Sequence, residues 1–574
     1  MTGATTMVVE RDVPATMRDG TVLRADVYRP AEGGPHPVLL SRLPYDKSLP
    51  VSVGVMPDPL KATASGYVFA LQDTRGRFAS DGEFEPFTHE ADDGYDSVEW
   101  AAAQPWSNGE VGMIGGSYIG YTQWMAASTV PPHLRAIAPI VATSDLHDAW
   151  IGEGGAASLW FNISWLLAAL GPDMVARHAP DDKAREDRLI EAIDHMAEHL
   201  PALPGKVDQA LDDAFVGDIY RRWLAHPDRD AFWRSLSPRE AHPRIDVPAF
   251  NVAGWYDVFL GGSLENFCGM RTHGATAASR EGQRLVVGPW RHAAPMLADP
   301  GGDVMFGLKS GGASLDLATL QLRFFDRWLK GIEPDPANDA PVRLFVMGTD
   351  QWRDEAEWPL ARAVPTDYYF RADGGLTTGR PEADEAPNTF TADPNDPVPT
   401  LGGNLCCWQL VHPPGAFDQR EIEARDDVVV YSTELLPEDV EVTGPLVAQV
   451  FVASTARDFD VTAKLVDVAP DGFARNVGEG IRRARYRHGT ERPVELPPGE
   501  VAEIEVDLMA TSNVFLAGHR IRIEIAASNW PRFDRNPQTG GVIAEATELC
   551  PARQTVFHDA ARPSRIVLPV VPRP

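Results

Sequence analysis

The chain changes its hydrophobic periodicity along its length, and this change limits the architectures open to it. In the first third, continuous apolar runs such as 38–40 and 111–114 alternate with stretches of helical periodicity such as 92–103. Buried strands separated by helices predict a parallel sheet covered by helices on both faces. After Gly331 the pattern differs, since apolar and acidic residues alternate over 503–508, which is typical of half-buried antiparallel strands.

Three structural parts follow from this pattern. The α/β pattern of residues 1–144 resumes at 241–340, and the two segments are predicted to form one domain. Residues 145–240, which carry amphipathic helical stretches, are predicted to be a helical insertion. Residues 341–574 are predicted to form an all-β sandwich or jelly roll.

Charge and composition exclude several functions. The formal net charge is −30, with 82 acidic against 52 basic residues dispersed along the chain, so binding to phosphate backbones is not expected. We find no apolar run near the ~18 residues of a membrane helix and no secretory signal. Four cysteines without a C-x-x-C spacing indicate neither a disulfide framework nor a zinc site. We therefore expect a cytoplasmic protein without nucleic-acid or membrane partners; the sequence leaves a homodimer open.

The segment 112–120, Gly-Met-Ile-Gly-Gly-Ser-Tyr-Ile-Gly, carries the strongest chemical signal. It places Ser117 between a predicted strand and a predicted helix, where a nucleophile can sit on a strained turn between small neighbours. The backbone N–H of Tyr118, at the start of the helix, is then free to bind an oxyanion. Ile119 departs from the G-x-S-x-G pattern, and the alternative is a glycine-rich turn with a serine by chance. A phosphate-binding loop is disfavoured because no Gly-Lys-Ser/Thr follows.

A serine nucleophile needs a histidine base and a carboxylate that orients it. Asp257 follows the predicted strand 247–252, and His292 follows the predicted strand 284–287. Both stand at the carboxyl ends of strands, where open α/β sheets place their sites. Asp73 is the rival acid, but it precedes the serine in sequence.

Together these segments resemble the cocaine esterase family of α/β hydrolases, which is related to X-Pro dipeptidyl peptidases, α-amino-acid ester hydrolases and glutaryl cephalosporin acylases. The resemblance covers nearly the whole chain. The motifs that carry it are Met-Arg-Asp-Gly at 17–20, Pro-Tyr-Asp-Lys at 44–47, Gln-Asp-Thr-Arg-Gly at 72–76, Gly-Gly-Ser-Tyr-Ile-Gly at 115–120, Gly-Trp-Tyr-Asp at 254–257, Gly-Pro-Trp-Arg-His at 288–292 and Leu-Met-Ala-Thr-Ser-Asn at 508–513.

The resemblance implies an α/β-hydrolase domain with an inserted helical cap and a C-terminal jelly roll. It also implies a catalytic triad of Ser117, Asp257 and His292. The family takes its second oxyanion donor from a tyrosine hydroxyl, which here is Tyr45, beside the N–H of Tyr118.

The family's acyl pocket is lined by aromatic residues. The matching positions are Trp165, Phe259 and, in place of a Leu-Phe pair, Cys406-Cys407. Cys407 at this position argues against a preference for benzoyl esters, and core packing is the competing role for all three positions.

These observations predict a serine hydrolase that cleaves small ester or amide substrates without a metal or organic cofactor. Two alternatives remain. The first is an X-Pro dipeptidyl aminopeptidase or amide acylase that uses the same triad. The second is a non-catalytic binding protein that uses its jelly roll.

Overall fold

A ten-stranded sheet forms the centre of the protein. This computed structural model describes residues 6–49, 57–201, 203–292, 301–333 and 339–573. The strands of the sheet, numbered β1 to β10 in chain order, are Met7–Thr16, Val22–Pro30, His36–Leu43, Val68–Asp73, Ser107–Gly116, Leu134–Ile140, Phe250–Tyr256, Arg284–Arg291, Val342–Val346 and Gln351–Glu355. They lie in the order β1-β2-β4-β3-β5-β6-β7-β8-β9-β10.

The centre of this sheet is parallel, as predicted, and its edges are antiparallel. All pairings from β4 through β3, β5, β6, β7 and β8 to β9 are parallel. The strands β1, β2 and β10 pair antiparallel with their neighbours. β4 and β7 are buried along their whole length, which explains why they appear as continuous apolar runs. The flanking helices are Pro59–Ala64, Glu90–Ala102, Tyr118–Ser128, Leu260–His273, Ala277–Glu281 and Leu317–Lys330.

The boundary predicted for the all-β domain needs correction. Residues from 341 onward were assigned to the sandwich, but Val342–Val346 and Gln351–Glu355 complete the edge of the first sheet. Val342 pairs in parallel with Leu285 of β8, and Gln351–Glu355 returns antiparallel beside it. The sandwich therefore begins after Glu355.

The chain between β6 and β7 forms a helical cap, as predicted for 145–240. Its helices are His147–Ile151, Leu159–His178, Lys183–Asp194, Met196–His199, Gln209–Asp213, Gly217–Leu224, Ala231–Ser235 and Pro238–Arg244. Leu159–His178, which includes one π-helical stretch, is the one helix among the described residues that is long and apolar enough to cross a membrane. However, 72% of the apolar 18-residue stretch of this helix is buried within the protein, mainly in the cap core.

The C-terminal part is a two-sheet antiparallel sandwich. Strands β11 to β21 are Val364–Phe370, Leu376–Thr377, Asn388–Ala392, Val429–Ser432, Val440–Ser454, Asp460–Val468, Ala474–Arg483, Ala502–Phe515, Arg520–Ala526, Ala552–Phe557 and Arg565–Val571. One sheet has the order β12-β11-β21-β15-β20-β13 with β18 also paired to β15, and the other has the order β14-β19-β16-β17. Val450 and Leu465, from opposite sheets, belong to one buried core.

The sandwich packs against the part of the first sheet that carries the predicted site. Asn404 Nδ2, in the sandwich domain, donates to the carbonyl of Trp255, at the end of β7, at 3.2 Å. The hydroxyl of Tyr256 donates to the carbonyl of Asn476, in the sandwich, at 3.0 Å. The ends of β7 and β8 thus lie where all three parts of the chain meet.

Candidate active site

Ser117 occupies a strained turn between β5 and the helix Tyr118–Ser128. Its φ is 59° and its ψ is −127°, a backbone conformation that residues other than glycine seldom adopt. Its N–H donates to the carbonyl of Ile140 at 2.9 Å, which fastens the turn to the neighbouring strand β6. The turn leaves the serine hydroxyl projecting from the carboxyl end of the sheet.

Two glycines allow this turn to pack closely. Gly115 has a φ of +144°, and a Cβ there would overlap the side chain of Ile119. A Cβ on Gly120 would overlap Ala142, which follows the adjacent strand. The turn can therefore carry Ile119 where the G-x-S-x-G pattern has glycine. Ile119 packs over Gly115, and Gly120 lets the helix approach the neighbouring strand closely.

The structure brings Ser117, His292 and Asp257 together. His292 Nε2 lies 3.0 Å from Ser117 Oγ, and His292 Nδ1 lies 2.8 Å from Asp257 Oδ2. Asp257 directly follows β7 and His292 directly follows β8, and these strands are parallel neighbours. The other carboxylate oxygen of Asp257 accepts the N–H of Phe259 at 2.7 Å. This arrangement fixes the carboxylate, which in turn orients the imidazole toward the serine.

The sandwich supports both loops from outside, which the sequence did not reveal. Asn404 Nδ2 donates to the carbonyl of Asp257 at 2.8 Å. Gln409 Nε2 donates to the carbonyl of His292 at 3.2 Å. Both residues lie in an irregular segment of the sandwich domain, so no periodicity in the sequence marks them.

The charge state of His292 reflects two opposing influences. Burial lowers the pKa of the imidazole, but the adjacent Asp257 carboxylate outweighs burial and raises that pKa above its ordinary 6.5. Only the neutral imidazole can accept a proton from Ser117.

Hydrolysis should therefore be lost on acidification with an apparent pKa above 6.5 in kcat/KM, because His292 becomes protonated as the pH falls. The measurement is a pH profile on a 4-nitrophenyl ester, with the non-enzymatic rate subtracted at each pH. An acid limb centred below 6.5 would show that Asp257 does not dominate the environment of His292.

Tyr45 is positioned as a hydrogen-bond donor beside this turn. Its ring lies edge-on to the ring of Tyr118, with centroids 6.5 Å apart. Trp165 Nε1 donates to the Tyr45 hydroxyl oxygen at 2.9 Å, so the hydroxyl proton is left for another acceptor. Burial raises the pKa of Tyr45 far above its usual range, which keeps that proton in place. The Tyr118 N–H belongs to the first helical turn, whose amides have no acceptor within the helix.

Asp73, the rival acid, holds the Tyr45 segment instead of contacting His292. Its carboxylate accepts the backbone N–H of Lys47 at 2.9 Å and the Lys47 ammonium at 2.8 Å. Asp73 is fully buried, and Lys47 is nearly so. This ion pair anchors the turn two residues after Tyr45.

Lys47→Met is expected to lower the free energy of unfolding by about 3 kcal/mol, because it leaves the Asp73 carboxylate buried without its cation. Urea denaturation measures the loss. Lys206→Met, at an exposed lysine of the cap, is the matched control and should change stability by less than about 0.5 kcal/mol. A similar small loss in both variants would contradict the anchoring role of the pair.

A cluster of aromatic side chains packs around His292 and the tyrosines Tyr45 and Tyr118. The Phe259 ring lies edge-on to the His292 ring at 5.3 Å, and the Trp165 ring stacks on Tyr118 at 6.0 Å. Trp150 connects them, since its ring lies 4.7 Å from Phe259 and 5.4 Å from Trp165. The structure thus places Phe259 beside His292, and Trp165 beside Tyr45 and Tyr118. Trp150 was not predicted, because no motif marks a tryptophan in a short cap helix.

The Cys406-Cys407 pair packs against the same aromatic cluster. Cys407 adopts a φ of 63°, and its carbonyl accepts Trp160 Nε1 at 3.0 Å. Burial raises the pKa of the Cys406 thiol. The pKa of the Cys407 thiol is lowered, because Cys407 accepts a hydrogen bond from Cys406 and lies near His292. The pair thus lies close to His292.

An α/β sheet that presents a serine on a strand–helix turn, together with a His–Asp pair on two neighbouring strand ends, defines a serine hydrolase. Among the residues that the structure describes, no cluster of three or more metal-binding side chains occurs. The family model described as "X-Pro dipeptidyl-peptidase (S15 family)" matches residues 19–294, which contain all three residues of the triad. The model described as "X-Pro dipeptidyl-peptidase C-terminal non-catalytic domain" matches residues 336–567.

Cocaine esterase of Rhodococcus sp. (strain MB1 Bresler) is 40% identical over 98% of this chain and 99% of that protein. The chain therefore belongs to the cocaine esterase and X-Pro dipeptidyl-peptidase family of α/β-hydrolase serine hydrolases. An aminopeptidase from the marine sediment archaeon Thaumarchaeota archaeon superposes with a TM-score of 0.82 at 25% identity, covering 100% of this chain and 98% of that one. An α-amino acid ester hydrolase superposes with a TM-score of 0.80 at 24% identity, covering 99% and 97%, and supports the fold.

Proposed function

We propose that this serine hydrolase cleaves carboxylic esters of small acyl substrates through an acyl-enzyme on Ser117. The observation that carries the proposal is the pair of contacts made by His292, 3.0 Å to Ser117 and 2.8 Å to Asp257. The 40% identity to a cocaine esterase supports esters as the substrate class.

In the first step, His292 accepts the proton of Ser117 as the serine oxygen attacks the ester carbonyl. The negative charge on the carbonyl oxygen is stabilised by the N–H of Tyr118 and the hydroxyl of Tyr45. His292 then donates its proton to the leaving alcohol, and the acyl group remains on Ser117. In the second step, His292 removes a proton from water, which attacks the acyl-enzyme and releases the acid.

The aromatic rings around the triad favour an apolar acyl group. Trp165, Trp150 and Phe259 provide a rigid apolar wall next to His292. The thiols of Cys406 and Cys407 occupy less volume than the Leu-Phe pair expected from the resemblance, which leaves more space on that side. We propose that Cys407 contacts the acyl group.

Peptide-type amides are the second candidate substrates, because the S15 family model and the archaeal aminopeptidase both point to peptidases. An aminopeptidase must bind the substrate's ammonium, normally with a carboxylate. Glu90, which accepts the Tyr118 hydroxyl at 3.0 Å, is buried and paired with Arg42 at 2.8 Å. That carboxylate is therefore not available to a substrate amine.

The deciding experiment compares 4-nitrophenyl acetate and 4-nitrophenyl benzoate with glycyl-prolyl 4-nitroanilide. We expect kcat/KM for at least one ester to exceed that for the anilide more than tenfold, or about 1.4 kcal/mol. The Ser117→Ala protein measures the background rate for each substrate. An anilide with the higher kcat/KM would assign the enzyme to the peptidases of the family.

A further inference from the structure

A second cavity lies between the helical cap and the sandwich, away from the triad. Trp223, Tyr220 and Trp233 line it from the cap, and Tyr486 and Ile543 line it from the sandwich. It is half-enclosed and has a free volume of about 100 Å³. None of Ser117, Asp257 and His292 lines this cavity.

The amide oxygen of Asn162, a residue that lines the cavity, has no hydrogen-bond partner among the described residues. His147 Nδ1, in the same wall, also makes no hydrogen bond but lies 3.3 Å from the Asp148 carboxylate. Asn162 is fully buried, and its Nδ2 donates to the carbonyl of Ile151 at 2.8 Å. This bond fixes the orientation of the amide, since the opposite orientation would place two oxygens against each other. Asn162 Oδ1 is left as a buried acceptor without a hydrogen bond. Unsatisfied buried acceptors are rare in native proteins because they lose the hydrogen bond that water would provide.

We propose that this cavity binds a small single-ring aromatic molecule with one hydrogen-bond donor, such as a phenol or an aromatic amine, whose donor reaches Asn162 Oδ1. Aromatic walls suit an aromatic occupant, because rings pack favourably edge-to-face and offset. The size also fits: an engineered apolar cavity of ~150 Å³ is known to hold benzene, and this cavity is somewhat smaller but open on one side. The donor would satisfy the unpaired oxygen of Asn162 in a largely apolar wall.

The cavity adjoins the Ser117 site through a single wall. Trp223 lines the cavity, and its ring is nearly parallel to that of Trp165, with centroids 6.3 Å apart and planes at 19°. Trp165 in turn hydrogen bonds to Tyr45. The second site is thus separate from the triad but borders the cluster that positions the oxyanion donor. The proposal does not depend on any catalytic role of Ser117.

A ¹⁹F NMR titration that monitors the binding of 4-fluorophenol to the full-length protein tests the proposal. We expect saturable binding, and we expect 1,4-difluorobenzene, which lacks the donor, to bind at least tenfold more weakly. Asn162→Leu removes the acceptor, and Ala157→Leu places a larger side chain at another residue that lines the cavity. Each should weaken 4-fluorophenol binding at least tenfold, with thermal unfolding confirming that the variants are folded.

Phe259→Leu is the matched control, because Phe259 borders His292 and does not line the second cavity. It should leave the affinity for 4-fluorophenol unchanged. The absence of saturable binding, or an unaltered affinity in Ala157→Leu, would overturn the proposal. Loss of affinity in Phe259→Leu alone would place the binding at the Ser117 site. None of these outcomes bears on ester hydrolysis, so a failure here is distinguishable from a failure of the proposed function.

Discussion

Replacing Ser117 with alanine is expected to lower kcat for ester hydrolysis by on the order of 10⁶, to the level set by substrate binding and the oxyanion donors alone. The serine oxygen is the only atom of the proposed mechanism that forms a covalent bond to the acyl group. Without it, the His292–Asp257 pair has no hydroxyl to deprotonate.

The control for this variant is Ser128→Ala at the end of the same helix. Ser128 Oγ donates only to the carbonyl of Met125, at 2.7 Å, and kcat should stay within about threefold of the wild-type value. Both variants should unfold cooperatively in urea. A folded Ser117→Ala protein that keeps a tenth or more of wild-type kcat would rule out Ser117 as the nucleophile.

Replacing Tyr45 with phenylalanine is expected to lower kcat by on the order of 10²–10³ with little change in KM. The hydroxyl would be lost while the ring remains beside Tyr118. An oxyanion donor acts mainly in the transition state, so its removal should affect kcat rather than ground-state binding. Steady-state kinetics on 4-nitrophenyl acetate measure both constants.

Tyr121→Phe removes a buried hydroxyl that is bonded away from the reaction. The Tyr121 hydroxyl donates to the carbonyl of Leu236 at 2.8 Å, and its loss should cost about 1 kcal/mol of stability. Its kcat should remain within about threefold of wild type. If Tyr45→Phe loses less than tenfold in kcat, Tyr45 serves only in packing and the proposed oxyanion site is incomplete.

The relation of Asp257 and His292 to Ser117 is predictable from the sequence for a physical reason. Each follows a short, largely apolar run that the sequence predicts to be a buried strand, and parallel strands bring their carboxyl ends to one edge of the sheet. The helices at Glu90–Ala102 and Leu317–Lys330 are also predictable, because their apolar residues recur at helical spacing.

The edges of the sheet are not predictable in the same way. Met7–Thr16 has a single buried residue and contains a bulge between Glu10 and Val13, so its pattern lacks regular alternation. Gln351–Glu355, at the opposite edge, has one buried residue and appears in sequence as part of the sandwich. Edge strands bury too little apolar surface to leave a clear periodic signal.

The contacts that surround the triad depend on folding across domains. Asn404 and Gln409 reach the loops of Asp257 and His292 from about 100 residues away or more along the chain. Trp150 completes the aromatic wall only because the cap folds back over the sheet. No local sequence pattern predicts such contacts. The role of Tyr45 as an oxyanion donor was predicted only from the family resemblance.

We expect His292 and Asp257 to activate the hydroxyl of Ser117 and of no other serine. The most direct test is to treat the protein with a fluorophosphonate and locate the modified residue by peptide mass spectrometry, with His292→Ala as the control. We predict a single phosphonylated residue, Ser117, in the wild-type protein and loss of this labelling in His292→Ala. Labelling at a different serine, or an unlabelled Ser117 in the folded wild-type protein, would contradict the claim.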